Sequence, residues 1–187
     1  MSGVRTCAVG SHEPRRLLAL IAVLAAVIGS AAACSPAQNG SVDGSRQPGG
    51  AVSADARVTM QRLPCYGTCP VYSIEITADG TVTFTGERYV DSVGIRTAAI
   101  APDTVAALVE ELVAHDFFDF ADRYTDGAQE CGSYHTDAPG VILTLRTGGR
   151  VKSVEHDHGC GGAPPALRRL QDRVDSVAGV ERWIGRR

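Results

Sequence analysis

The chain has 187 residues, 44% of them hydrophobic and 21% charged, which is the composition of a globular protein and excludes a disordered one. Eighteen Lys and Arg against 21 Asp and Glu give a formal charge of −3, and Lys152 is the only lysine. That balance excludes a strongly basic nucleic-acid binder, and 5% aromatics leave little for stacking on bases or sugars.

Residues 1–33 read as an export signal. Arg5, Arg15 and Arg16 form a positive start, residues 17–28 are apolar, and small residues follow up to Ala33. The apolar run falls short of the roughly 18 residues that a spanning helix needs. The string Ala31-Ala32-Ala33-Cys34 resembles the lipobox of bacterial lipoproteins, with Ala31 where leucine is usual. The resemblance implies cleavage before Cys34, lipid on Cys34, and attachment to a membrane through acyl chains. With Ser35 next, it also implies the periplasmic face of the outer membrane if the cell is Gram-negative. Residues 34–56 are rich in Gly, Ser, Pro, Asn, Asp and Gln without apolar periodicity, a flexible tether reaching about 25 Å.

Residues 57–187 read as one domain. Val58, Met60 and Arg62 alternate with polar residues as in a first strand that ends before Pro64. Tyr72, Ile74 and Ile76 alternate, Asp79-Gly80 turns, and Val82 and Phe84 continue the apolar face, which predicts a hairpin. A further strand is expected within residues 87–97. Pro102 and Asp103 open a helix whose Val105, Leu108, Val109 and Leu112 share one face. The run Phe117, Phe118, Phe120 is expected to cap the core beneath it. Val141, Leu143 and Leu145 alternate, Gly148-Gly149 turns, and residues 151–156 return as a second hairpin. A last helix from Pro165 places Leu167, Leu170, Val174 and Val177 on one face and stops at Gly179. The order predicts an α+β domain, an antiparallel sheet of hairpins with two helices packed on one face.

The run from Pro64 through Cys65, Cys69 and Asp79-Gly80 to Gly86 resembles the opening signature of the DUF6438 family, bacterial envelope proteins of unknown function. Tyr124-Thr125-Asp126, Thr136-Asp137-Ala138-Pro139, Gly149 to Val154 and the Pro165-Ala166-Leu167 helix resemble its second half. The likeness spans about residues 60–184 and implies no catalytic residue.

Of six cysteines, Cys7 leaves with the signal and Cys34 takes lipid. Cys65, Cys69, Cys131 and Cys160 remain, and an even set in an exported domain reads as two disulfides. Three pairings are possible. Gly67 between Cys65 and Cys69 permits a sharp turn, and Cys131 and Cys160 flank the two outer ends of the second hairpin. Pairing 65–69 with 131–160 is therefore favoured, with the other two open.

A metal or thiol-redox module is the competing reading. Cys65-x-x-x-Cys69-Pro70 with His156 or His158 downstream resembles the metal site of Sco-type copper chaperones, and two thiolates with an imidazole suit copper. Those proteins carry the motif where a strand enters a helix, whereas Pro70 here leads into an alternating strand. His135, Asp137, His156, Asp157 and His158 form a second cluster conceivable for zinc, although loop His and Asp more often face solvent or bond the backbone. No G-x-S-x-G, S-x-x-K or phosphate-binding glycine loop is present, so no enzyme and no cofactor is expected. The sequence points to a non-catalytic envelope binding or structural module whose partner it does not name.

Overall fold

The computed structural model describes residues 52–185. The export signal, Cys34 and most of the tether lie outside them. Seven strands form one sheet: β1 (Arg57–Arg62), β2 (Val71–Thr77), β3 (Thr81–Arg88), β4 (Gly94–Ala99), β5 (Arg123–Tyr124), β6 (Gly140–Thr147) and β7 (Arg150–Asp157). Their order is β4-β3-β2-β1-β6-β7-β5, so β1 sits centrally between the two hairpins. The helices are α1 (Pro102–Ala114), α2 (Pro165–Ala178) and a short α3 (Glu181–Ile184). The architecture is the expected α+β one.

Period-2 alternation fixes the sheet faces, and the pairing register lines the core-facing residues into three rows across the strands. The first row is Val82, Ile76, Val58 and Leu145. The second is Phe84, Ile74, Met60, Leu143 and Val154. All nine are buried. The third row runs Tyr72, Arg62, Val141, His156 and Tyr124, and most of it is polar. The opposite face carries the other half of each alternation, such as Thr83, Glu75, Thr59, Thr144 and Ser153.

Helix α1 buries Val105, Leu108, Val109 and Leu112, and α2 buries Leu167, Leu170, Val174 and Val177. Both stripes fall at helical spacing and close over the sheet. Glu111 on α1 accepts from Arg173 Nε on α2 at 3.0 Å. Gly179 ends α2 with φ 65°, a conformation that costs glycine little, and its N–H reaches Asp175 O at 2.9 Å. At the first hairpin Asp79 Oδ1 accepts from Thr77 Oγ1 and Thr81 N. Gly80 there has φ 89°, and a Cβ would run into the Ile100 carbonyl.

Four details differ from the sequence expectation. The fourth strand lies at Gly94–Ala99, later than residues 87–97, because Gly86 and Gly94 pair and leave residues 89–93 to the connection. Strand β5 is an unforeseen parallel partner of β7, too short to show alternation. Helix α3 brings Trp183 to stack on Phe84, with ring centroids 4.8 Å apart. Of the aromatic run only Phe117 is fully buried, and Phe118 instead lies under the Arg150 guanidinium at 3.7 Å. The chain also enters the folded unit before Arg57: Asp55 takes the N–H groups of Gly148 and Gly149 at 2.8 and 2.9 Å, fastening the tether's last residues to the β6–β7 turn.

Candidate functional site

The residues singled out by their chemistry gather at one end of the sheet, where β1 and β7 finish and β2 and β6 begin. The connections there are long, and α2 crosses the third, polar row. Two contacts tie the helix down.

In the first, Asp175 of α2 meets Arg62 and Tyr72 of adjacent strands. Asp175 Oδ2 accepts from Arg62 Nε at 3.1 Å and from Arg62 Nη2 at 2.6 Å, while Oδ1 accepts from Tyr72 Oη at 2.8 Å. Arg62 Nη2 also reaches Asp172 Oδ1 at 3.2 Å. Burial raises the Asp175 carboxyl above its ordinary pKa, and Arg62 and Tyr72 work against that rise. Burial disfavours the Arg62 charge, yet the Asp175 carboxylate beside it holds its pKa above the usual value. Burial and then Asp175 raise Tyr72, so the phenol keeps its proton and donates.

In the second contact, one amide serves two imidazoles. His156 Nδ1 lies 3.2 Å and His158 Nε2 3.0 Å from Gln171 Oε1. With that oxygen accepting from both, His156 carries its proton on Nδ1 and His158 on Nε2. The rings are 4.7 Å apart, and Tyr124 meets His156 edge-on. Burial, then the neighbouring His158, push His156 down to about 4. Burial likewise lowers His158, with Arg168 and Arg62 adding to it. Both rings are neutral at pH 7. Gln171 Nε2 and His158 Nδ1 are buried without a hydrogen-bond partner.

Cys65 is bonded to Cys69 with Cα atoms 5.8 Å apart, and Cys131 to Cys160 with Cα atoms 4.8 Å apart. The second bridge is flanked by backbone hydrogen bonds from His135 N to Gly159 O and from Gly162 N to Cys131 O. The Cys65 and Cys69 sulfurs that a copper site would need as thiolates are therefore tied up in a disulfide. The structure brings His156 and His158 together but leaves His135 and Asp137 exposed, with Asp137 accepting from its neighbour Thr136. Asp157 is engaged by Tyr134 Oη at 2.9 Å and Gly159 N at 2.8 Å. Among the described residues no group of three or more His, Cys, Asp or Glu is arranged to hold a metal ion.

Sequence reading missed Arg62, Gln171 and Asp175 as partners. The signal was there: Gln171 falls on the α2 stripe between Leu167 and Val174, and Arg62 and His156 continue the alternations of Val58-Met60 and Val154. A polar side chain at a core-facing position must find a partner.

Around the corner of the same end lies a cleft of about 380 Å³ lined by Leu63, Pro64, Arg123, Asp126, Glu155 and Asp157, among others. The Cys65–Cys69 loop stands at its edge: Pro64 leads into the loop, and Tyr66 N donates to Asp137 O beside Ala138, another lining residue.

A family model described as a domain of unknown function (DUF6438) matches residues 56–178. No curated protein matches the chain.

Proposed function

The chain belongs to the DUF6438 family, and from that premise we propose that it is an exported lipoprotein, anchored by lipid on Cys34, whose folded domain is a non-catalytic binding or structural module of the cell envelope. The observation that carries the export half is the state of the cysteines. All four in the folded domain are bonded in pairs, a state that an oxidising compartment sustains and a reducing cytosol does not. The lipobox-like Ala31-Ala32-Ala33-Cys34 string supplies the anchor. Support for a module without catalysis comes from the polar row, whose groups bond one another across the α2–sheet contact. Labelling of cells with radioactive palmitate tests the anchor. Wild type is expected to carry label and sediment with membranes, and Cys34→Ala is expected to lose the label. Unlabelled wild type, or normal processing and attachment of the Cys34→Ala chain, contradicts the reading.

A copper or zinc module is the second reading, and one observation favours it. His156 Nδ1 and His158 Nε2 converge on a single oxygen and both rings are neutral, so shifting each proton to the ring's other nitrogen would leave two lone pairs converging on one point, as metal ligation requires. Titration with zinc alone, followed by imidazole NMR, decides it: stoichiometric shifts at both rings support it, and unmoved signals remove it.

A further inference from the structure

The Cys65–Cys69 bridge closes a five-residue loop, Cys65-Tyr66-Gly67-Thr68-Cys69, that holds a large aromatic side chain in solvent. Tyr66 is 88% exposed, more than any other large hydrophobic side chain among the described residues. The bridge and the Tyr66 N–H bond to Asp137 O fix the loop's backbone before any partner arrives. An aromatic with few torsions on a rigid loop loses little entropy on contact, which is how binding hot spots are built.

Charge decides what such a contact fits. The adjoining cleft carries the carboxylates of Asp126, Glu155 and Asp157 against one guanidinium, Arg123. Arg123 Nε is already paired with Glu155 at 3.3 Å. Asp126 is exposed and makes no hydrogen bond or ion pair among the described residues. Asp137, also exposed, adds a further negative charge where the loop meets the cleft. The surface thus combines a negative recess with an exposed aromatic carried on the loop at its edge, a pairing that attracts a cation both by Coulomb's law and through the ring quadrupole. The same charges repel an anionic membrane.

We propose that the cleft and the Cys65–Cys69 loop form a docking site for a basic peptide segment, whose arginine or lysine side chain enters beside Asp126 and lies against the Tyr66 ring. This names a partner class for the binding module proposed above and rests on that reading.

The test is an NMR titration of the full chain with acetyl-Gly-Arg-Gly-amide, its lysine counterpart and acetyl-Gly-Glu-Gly-amide. The basic peptides are expected to give saturable amide shifts at residues 65–69, 123–126 and 155–157 that weaken with added salt, and the acidic peptide none. Tyr66→Ala is expected to weaken binding about two- to fivefold, and Asp126→Asn about twofold. Neither substitution touches the core, so unchanged shifts elsewhere show that the fold is intact. Absent saturation, equal response to the acidic peptide, or affinity indifferent to both substitutions overturns the proposal. So does stronger shifting of the same residues by vesicles of anionic lipid. A negative titration alongside intact palmitate labelling removes the partner class alone, whereas lost labelling removes the anchor and leaves a positive titration standing.

Discussion

The two ends of the sheet are built on different chemistry. At the end of the Asp79-Gly80 and Gly148-Gly149 turns the connections are tight and the interior rows are apolar, from Val82 and Phe84 to Leu145. At the other end the connections are long, two disulfides bind them, and α2 is held by Asp175 and Gln171 to Arg62, Tyr72, His156 and His158. The interior of the first end gains stability from area removed from water, which is non-directional and indifferent to pH, and its titrating contacts, Asp55 and Asp79, held below the usual carboxylate range by hydrogen bonds from Ser53 and Thr77, lie at the exposed turns. The second depends on partners in the right protonation state at the right distance. One end is packing, and the other is where a change of condition or a partner can act.

The largest expected effect falls on the apolar rows. Phe84 is fully buried between Tyr72 and Trp183, so Phe84→Ala is expected to cost about 3–5 kcal/mol in chemical denaturation. A loss under about 1 kcal/mol, in the range of surface changes, contradicts the placement of that row.

At the polar end Asp175→Ala strands the Arg62 guanidinium and the Tyr72 hydroxyl. Arg62 keeps 13% of its side chain exposed, so the expected loss is about 2–3 kcal/mol, below that for breaking a fully buried pair. Replacing both charges together, Arg62→Met with Asp175→Leu, is expected to cost less than Asp175→Ala alone. A double variant as unstable as the single one would mean that the pair itself, and not the stranded charge, carries the effect.

The pH response separates the ends further. His156 titrates near 4 when folded against an ordinary value of 6.5, so the unfolded chain binds more protons between those values. Its contribution is therefore fully present above pH 6.5 and is lost as pH falls toward 4, on the order of 3 kcal/mol in all. Asp175, raised by burial, takes its proton earlier in the folded state and offsets part of the loss at the acid limit. Urea midpoints across this range are expected to fall with pH in wild type and to fall less in His156→Phe. Equal slopes would show that the acid sensitivity comes from elsewhere.

The disulfides give the smallest contrast. Cys131 and Cys160 are 29 residues apart and Cys65 and Cys69 only 4. Loop-closure entropy then makes removal of the longer bridge costlier by about 1.6 kcal/mol. Comparing melting temperatures of the two double-serine variants checks this, and a larger loss from the short bridge would mean that the Tyr66 loop shapes the fold beyond its entropy.

How much was legible in the sequence follows the same division. The apolar rows and helix stripes were readable because Ile74-Ile76, Val82-Phe84 and Leu143-Leu145 repeat with one period, and a repeated apolar residue has one destination. The disulfide pairing was favoured but not fixed by the sequence, Cys131–Cys160 because the two cysteines flank a hairpin's outer ends and Cys65–Cys69 because Gly67 permits the turn. Arg62 and Gln171 were legible as polar side chains at core-facing positions, but which groups they meet, and that Asp175 is one of them, depends on how α2 crosses the sheet. His158 follows β7 two residues after His156 and shares its side, as i, i+2 spacing implies, whereas His135 lies in the loop before β6 and stays exposed. Strand β5 and Trp183's helix were too short to carry a pattern.

The central claim is that the polar end is held by neutral imidazoles inside the α2–sheet contact. The most direct measurement is a pH titration of the His156 ring by NMR. The account predicts a midpoint near 4, with the proton on Nδ1 above it. A midpoint near the ordinary 6.5 would place the ring in water and contradict the contact.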